Sequence, residues 1–530
     1  MSYKVLITTS GTGSRLGELT RYTNKSLVRV GKKPAISYII ETYPKDTNFV
    51  ISLGHKGEQV KDFLNLAYPE KNFTFVWIDK YEGPGTSLGY SMLQAKNVLQ
   101  EPFIYHACDT IIEGLIVPSL EENWVIGTSV NNFDQYASFQ ISENNLLTRF
   151  NDKKNGKPND LAHVGLIGVH DYGHYWETLE KLYQESPNDS SLNDTATLSE
   201  MIKDGACIRG VATQAWLDIG NQESLNEART KISDRFDNLD KVDEALFFFG
   251  DFVIKFFSDP AKVENRVVRG EILGELAPRT LEVKTNFYKY EYVKGDRYSD
   301  VVTPQDLEQF ITWAQENLWK EKAEIGETDF KKVCRSFYEL KTKERIEKFL
   351  KKNNLEDKST IINNVVIPPI KDTLAQIDFD WLSSGIQTGF HGDFILENIL
   401  KTDNGYILLD WRQDFGGLLK SGDMYYDLAK FYHNLVVNHD VISRNKFLVN
   451  IKTEGEIDCS IEMKEHLEEV EKSFKELIQK KGLDMNKVEM LRALIWINMS
   501  PLHHHPFDIF LFYFGKYHLW QALKNQRTSL

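Results

Sequence analysis

Cysteine is scarce in this sequence: there are four in 530 residues, at positions 108, 207, 334 and 459, and no CxxC pair. That spacing argues against a disulfide framework or a cysteine-built zinc site and fits a reducing cytosol. Long hydrophobic runs are missing as well. No apolar stretch approaches the ~20 residues needed to span a bilayer, and the N-terminal MSYKVLITTSG lacks a signal-peptide layout. The expected location is cytoplasmic, without membrane insertion. Nor is there an excess of positive charge: 63 Lys and Arg face 77 Asp and Glu, a net charge of -14. Such a chain is a poor general binder of nucleic acid or anionic membrane. Anionic ligands must therefore meet locally placed cations and backbone N–H groups. Internal repeats and low-complexity tracts are absent, and nothing in the sequence bears on oligomeric state.

The balance of 41% hydrophobic and 26% charged residues is that of a globular protein, and the length calls for two or three domains. Up to about residue 225, short apolar runs alternate with helical patterns. Strands are expected at Tyr3–Thr9, Phe49–Leu53, Phe73–Ile78 and Pro102–Ala107. Helices are expected at Pro34–Thr42, Gly57–Ala67, Gly89–Leu99 and Glu223–Arg229. This alternation predicts a three-layer α/β domain with a largely parallel sheet, whose ligands sit beyond the carboxyl ends of the strands. The polar stretch Ser233–Lys241 is the expected boundary, giving domains 1–232 and 233–530. The second begins with a hairpin, ALFFFGDFVIKFF at 245–257, and another strand at Phe287–Val293. It then turns helical, with a proline-containing break at Ile362–Lys371 and long helices to the end. This predicts an α+β domain with a small lobe at about 242–300 and a helical lobe at about 301–530.

Chemistry concentrates at the strand ends. After the first strand comes Ser10-Gly11-Thr12-Gly13-Ser14-Arg15, where glycines let successive N–H groups approach a phosphate and Arg15 supplies a cation. It has neither Walker nor GxGxxG spacing. Lys25 follows, then Gly83-Pro84-Gly85-Thr86, then His106-Ala107-Cys108-Asp109, then Trp216-Leu217-Asp218-Ile219-Gly220. Singly, Lys25 reads as a surface lysine, Asp109 as a helix cap and Asp218 as a turn residue. As an ordered set over roughly residues 3–230, they resemble the sugar-phosphate nucleotidyltransferases, whose sheet is Rossmann-like. The resemblance implies that Gly11, Thr12, Gly13, Ser14 and Arg15 wrap a nucleoside triphosphate. It places Lys25 at the reacting phosphates, Gly85 and Thr86 against base or sugar, and Mg²⁺ on Asp109 and Asp218. The sequence departs from the family at Thr8-Thr9-Ser10 and at His-Ala-Cys-Asp.

The densest motif is His391-Gly392-Asp393-Phe394-Ile395-Leu396-Glu397-Asn398, followed by a strand and Asp410-Trp411-Arg412. It resembles the aminoglycoside phosphotransferase and choline kinase group, kin of the protein kinases. The resemblance implies that Asp393 orients and deprotonates an acceptor hydroxyl while Asn398 and Asp410 hold Mg²⁺. It also implies that the second aspartate of Gly422-Asp423-Met424-Tyr425-Tyr426-Asp427 supports the fold. Upstream, Lys255 is the expected phosphate-contacting lysine, with Glu264 or Glu271 as its helix partner, although a snorkelling lysine is nearly as good a reading. Phe249-Gly250-Asp251 is the expected phosphate-covering loop, and Glu291 and Val293 lie in the segment expected to meet adenine. The run His503-His504-His505 reads as a buried helix junction or a patch lining the acceptor pocket rather than a metal site.

Together these expectations describe a bifunctional enzyme. ATP phosphorylates a small acceptor, favoured as a sugar at its anomeric hydroxyl. A second NTP (CTP, GTP or UTP) then activates the phosphomonoester as a precursor for surface glycans. Mg²⁺ serves both steps, with Mn²⁺ as a substitute. The alternatives are an amino-alcohol kinase joined to a CTP:phosphocholine-type cytidylyltransferase, and a regulatory or scaffold protein with an inactive domain.

Overall fold

The computed structural model describes residues 3–234, 241–453 and 455–529, so most of the expected boundary, residues 235–240, lies outside it. The chain forms two compact units. One comprises the described residues up to Val263 with Leu281–Tyr290; the other comprises Glu264–Thr280 and the residues from Glu291 onward.

The first unit opens with β1 (Lys4–Thr8), α1 (Ala35–Thr42), β2 (Asn48–Leu53), α2 (Gly57–Ala67), β3 (Asn72–Trp77), α3 (Leu88–Leu93) and β4 (Phe103–Ala107). Next come β5 (Thr110–Ile112), β6 (Asn123–Thr128), β7 (Ser138–Ile141), β8 (Leu147–Asn151) and β9 (Leu161–Val169). Then follow α4 (Tyr172–Glu185), α5 (Asp194–Lys203), β10 (Ile208–Ala212), β11 (Trp216–Asp218) and α6 (Gln222–Lys231). The main sheet runs β10-β6-β9-β4-β1-β2-β3. Four of these six pairings are parallel, and β9 is antiparallel to both neighbours. It is a mostly parallel, Rossmann-like sheet. Its central strands are continuous apolar runs, such as KVLIT and NFVISL, because helices cover both faces. The third helix is shorter than expected, ending at Leu93 before a separate turn at Lys96–Val98.

The expected hairpin forms as β12 (Glu244–Phe249) and β13 (Phe252–Phe257), turning at Gly250-Asp251. After α7 (Pro260–Leu273), β14 (Thr280–Val283) and β15 (Phe287–Glu291) complete a sheet of order β12-β13-β15-β14. Phe247, Phe249, Ile254, Phe256 and Phe287 belong to the same buried cluster as Phe63 and Leu64 of α2. The Phe63 ring centroid lies 5.3 Å from that of Phe247 and 6.1 Å from that of Phe287. The strands expected as a small lobe are thus packed onto a helix of the α/β unit.

The second unit is mainly helical, with its core between Pro304–Asn317, Met424–Val436, Glu465–Lys480, Met485–Met499 and Phe507–Ser529. It is not helical throughout its later part. Phe447–Thr453 and Glu456–Ile461 form a hairpin that joins Thr360–Ile362 and Val365–Ile367 in a four-stranded sheet. Alternation makes these strands: Ile457 and Cys459 are buried while Asp458 and Ser460 are not. The three histidines lie in a turn between the last two helices, with His504 and His505 exposed rather than buried. No described helix is long and apolar enough to cross a membrane.

Candidate active sites

The first site lies past the carboxyl ends of the parallel strands. Asn24, fully buried, ties two of those ends together: its side-chain N–H groups donate to the carbonyls of Thr9 at 2.9 Å and His55 at 2.6 Å. Its Oδ1 accepts from the Ser26 N–H at 2.9 Å, starting a short helical turn that presents Lys25. Gly13 has a φ of 68°, and a Cβ there would come within 2.7 Å of the Lys25 Cβ. The loop and the lysine approach this closely because residue 13 has no side chain.

A second register completes the site. β5 pairs antiparallel with β11, Thr110 opposite Asp218, and the Ile219 N–H donates to the Asp109 carbonyl at 3.1 Å. Two carboxylates far apart in sequence therefore meet beside Gly220. A Cβ at Gly220 would lie 3.1 Å from Asp218 Oδ1, 3.5 Å from Asp109 Oδ2 and 3.5 Å from Arg15 Nη2. Lys25 Nζ is 3.3 Å from Asp109 Oδ2. Burial pushes the Asp109 carboxyl up, but the charges of Lys25 and Arg15 outweigh it and hold the group below the usual carboxylate range. Asp218 Oδ1 accepts from the Gly220 N–H and Oδ2 from the Tyr136 hydroxyl, both at 2.9 Å. Tyr136 was not anticipated; nothing in its local sequence marks it.

Gly85 and Thr86 occupy a separate loop after β3, at the same edge of the sheet. Gly85 is buried with a φ of 85°, and the Thr86 hydroxyl donates to the Gly83 carbonyl at 2.8 Å. Thr12 and Ser14 stay in the glycine loop, with Ser14 exposed. Among the described residues, no group of three or more His, Cys, Asp or Glu side chains could hold a metal by itself. The donor set at this site, two carboxylates beside Gly220, fits a Mg²⁺ that keeps phosphate and water as its other ligands.

The second site is organised around His391. Burial holds its imidazole down at about 4, so it is neutral. One ring nitrogen contacts the Leu409 carbonyl at 2.8 Å, and the other accepts from the Asp393 N–H at 3.3 Å. The Leu409 N–H donates to the Asn398 carbonyl at 2.7 Å. One neutral ring thus joins the segments carrying Asp393, Asn398 and Asp410. Asn398 Nδ2 donates to the Asp393 carbonyl at 3.0 Å. Asp410 has a φ of 52°, a left-handed backbone rarely adopted by residues with a side chain and found enriched at functional sites. Gly392 is required for fit: a Cβ there would meet the Arg412 Cβ at 2.6 Å.

The helix Met424–Val436 braces this loop with one face. Asp427 accepts from the N–H groups of His391 at 2.8 Å and Gly392 at 2.7 Å, and from the Trp319 indole at 3.1 Å. Asn434 accepts from the Leu396 N–H at 2.9 Å. From the same face Lys430 Nζ reaches Asp393 Oδ1 at 2.7 Å. Burial alone would raise the Asp393 carboxyl, but Lys430 holds it down at about 2. Arg266 pairs with Asp410 at 2.6 Å. Neither cation was anticipated. The only signal for Lys430 is its spacing of three residues from Asp427, which puts both on one helical face. Asn398 and Asp410 supply hard oxygens that fit Mg²⁺ brought in with a nucleotide.

Lys255 is buried in β13, with its ammonium 5.1 Å from the Phe257 ring centroid. Glu291 ends β15, where it accepts from Arg279 Nε at 3.0 Å, and Val293 follows in an irregular segment. Glu264 and Glu271 both lie on α7. Lys255 belongs to the first unit and Glu291, Val293, Asp393, Asn398 and Asp410 to the second.

No family model matches the chain. The N-terminal region matches sugar-phosphate nucleotidyltransferases in sequence. The low-salt glycan biosynthesis nucleotidyltransferase Agl11 of Haloferax volcanii is 25% identical over 237 residues, 42% of this chain and 64% of that protein. The bifunctional protein GlmU of Methanococcus vannielii is 23% identical over 249 residues, 44% of this chain and 58% of that protein. The chain thus spans less than two thirds of either relative. Among solved structures, a putative glucose-1-phosphate thymidylyltransferase from Bacillus anthracis aligns with a TM-score of 0.39 at 22% identity, covering 46% of this chain and 98% of that one.

Proposed function

We propose that the chain is a bifunctional enzyme: residues 1–232 carry a nucleotidyltransferase and residues 233–530 a small-molecule kinase. The observation that carries the first half is the meeting of Arg15, Lys25, Asp109 and Asp218 around Gly220, past the ends of parallel strands. Nucleotidyl transfer brings a phosphomonoester against the α-phosphate of an NTP, so two anions must be held together. Lys25 and Arg15 neutralise that charge, and the N–H groups of Gly11–Ser14 cradle the phosphates. Asp109 and Asp218 would hold Mg²⁺, which offsets the charge on the pyrophosphate leaving group. The sequence matches to nucleotidyltransferases support this half.

The kinase half rests on this chain's own residues. Asp393, ionised and held by Lys430, orients the acceptor hydroxyl and accepts its proton as the oxygen attacks the γ-phosphorus. Asn398 and Asp410 would hold Mg²⁺ against the phosphates. Phosphoryl transfer is mainly positioning and charge neutralisation, and the His391 bridge fixes the three segments concerned. In this reading Glu291 and Val293 flank the adenine. A kinase makes a phosphomonoester and a nucleotidyltransferase consumes one, so the product is an NDP-activated acceptor, favoured as a nucleotide sugar for surface glycans. The test is a mass-spectrometric screen of the purified chain with acceptors, ATP, and CTP, GTP or UTP. Formation of acceptor-phosphate and NDP-acceptor, both abolished by EDTA, is expected. Turnover undiminished by EDTA contradicts the proposed Mg²⁺ roles.

A further inference from the structure

At Lys430, the partner of Asp393, the second unit forms a partly open pocket of about 150 Å³. Four cations line it: Lys341, Arg345, Arg412 and Lys430. Among the described residues, Lys430 alone of the four has a carboxylate partner, Asp393 itself. Among the described residues Lys341, Arg345 and Arg412 form no ion pair. Two of them lie over one ring, with Phe337 3.8 Å from Lys341 Nζ and 5.0 Å from the Arg412 guanidinium. Burial, then the charges of Arg412, Arg345 and Lys430, pull the Lys341 ammonium down to about 6, with Asp414 offsetting part of this. The far wall is apolar, from Leu491 and Leu494.

The backbone is shaped for this. Ser336–Leu340 is a π turn inserted between the helices Glu327–Arg335 and Lys341–Asn353, a distortion that recurs at functional sites. It begins a helix in which Lys341 and Arg345, four residues apart, face the same way. Like charges at that spacing repel, and crowding them at a cavity is unfavourable unless an anion occupies it.

Building on the kinase reading, we infer that this cavity is the acceptor site and that the acceptor is an anion: a hydroxyl compound bearing a carboxylate or phosphate group. The anionic group sits among Lys341, Arg345 and Arg412, and the hydroxyl is directed past Lys430 to Asp393. A free amino alcohol such as choline would bring a further cation beside Arg345 and Arg412, which already lack a carboxylate partner among the described residues.

Two measurements on the full chain test this. In the first, acetylation of Lys341 by trace acetic anhydride near neutral pH is followed by peptide mass spectrometry in the presence of inorganic phosphate, acetate or choline. Protection by inorganic phosphate or acetate, lost in Arg345→Met, is expected; equal labelling with and without the anions, or protection by choline alone, overturns the inference. In the second, ATP-dependent phosphorylation is compared for glucuronate against glucose, and for glycerate and glycerol 3-phosphate against glycerol, with choline alongside. The anionic acceptors should be favoured in kcat/KM by roughly ten- to a hundredfold, with the better of carboxylate and phosphate naming the group. The preference should collapse in Lys341→Met and in Arg345→Met, and persist in Lys343→Met at an exposed neighbouring position. Preference for the neutral acceptors or choline overturns the inference while leaving the kinase reading intact. Protection of Lys341 without phosphorylation of any acceptor supports the anion site and counts against the kinase reading instead.

Discussion

Asp393 is the residue on which the kinase chemistry turns. Its side chain is paired with Lys430 and its N–H with a neutral His391, so its geometry is fixed before a substrate arrives. Asp393→Asn keeps the shape and removes the proton acceptor. The expected result is a fall of roughly 10²- to 10⁴-fold in acceptor phosphorylation, with unchanged nucleotidyl transfer and a lower Tm from the lost Lys430 pair. Wild-type kinase turnover in a folded variant removes Asp393 from this role. Asp427 acts on the same loop from behind, through three hydrogen bonds. Asp427→Ala leaves buried N–H groups of His391 and Gly392 without acceptors, at about 1–3 kcal/mol each. It should lower Tm, whereas rescue of folding without rescue of phosphorylation is expected only at Asp393, so calorimetry and kinase turnover together separate the structural aspartate from the reacting one.

At the scale of elements, α2 is where the α/β unit and the sheet β12–β15 meet. Phe63 contacts Phe247, Phe249 and Phe287, so the sheet covers an apolar helix face that water would otherwise wet. Phe63→Ala should destabilise the unit by about 3–5 kcal/mol, measured by urea unfolding. A fragment ending at residue 234, which lacks the sheet, should aggregate or bind more hydrophobic dye than the full chain. Dye binding equal to that of the full chain contradicts this packing. The sequence could not announce it. The α/β strands are legible because burial on both faces makes them unbroken apolar runs, and their spacing exposes the helices between. A strand's partner across the chain has no local signature, so 244–257 was readable as a hairpin but not as a lid on α2. The hairpin 447–461 was missed because its alternation is interrupted by charged residues amid helical sequence. Motif residues at or just past strand ends, Asp109, Asp218 and Asp410, stand out by position, and Asp393 by its His-Gly-Asp motif. Lys430, Arg266 and Lys341 do not, since a lone cation on an amphipathic helix looks like a solvated face.

For the whole molecule, neutral buried histidines set an acid limit. Burial depresses His106 and His391 from an ordinary value near 6.5 to about 4, and His433 further. A depressed group contributes stability that is present above its unfolded value and is lost as pH falls towards its folded one. His106 and His391 should each cost roughly 3 kcal/mol between pH 6.5 and 4. Asp427, raised to about 6 by burial, works the other way: its contribution grows as pH falls from 6. The net expectation is a Tm that drops steeply below pH 6.5, and a Tm flat to pH 4.5 would contradict it. The central claim is that one chain holds two independent sites acting in sequence. The most direct measurement supplies acceptor, ATP and the second NTP to Asp109→Ala and follows products by mass spectrometry. Asp109 lies by Arg15, Lys25 and Asp218 and shares no residue with the second site, so nucleotidyl transfer should stop while acceptor-phosphate accumulates. Asp410→Ala should make no acceptor-phosphate yet still convert it when added. Loss of both steps in a folded Asp109→Ala protein, or of neither, would contradict the account.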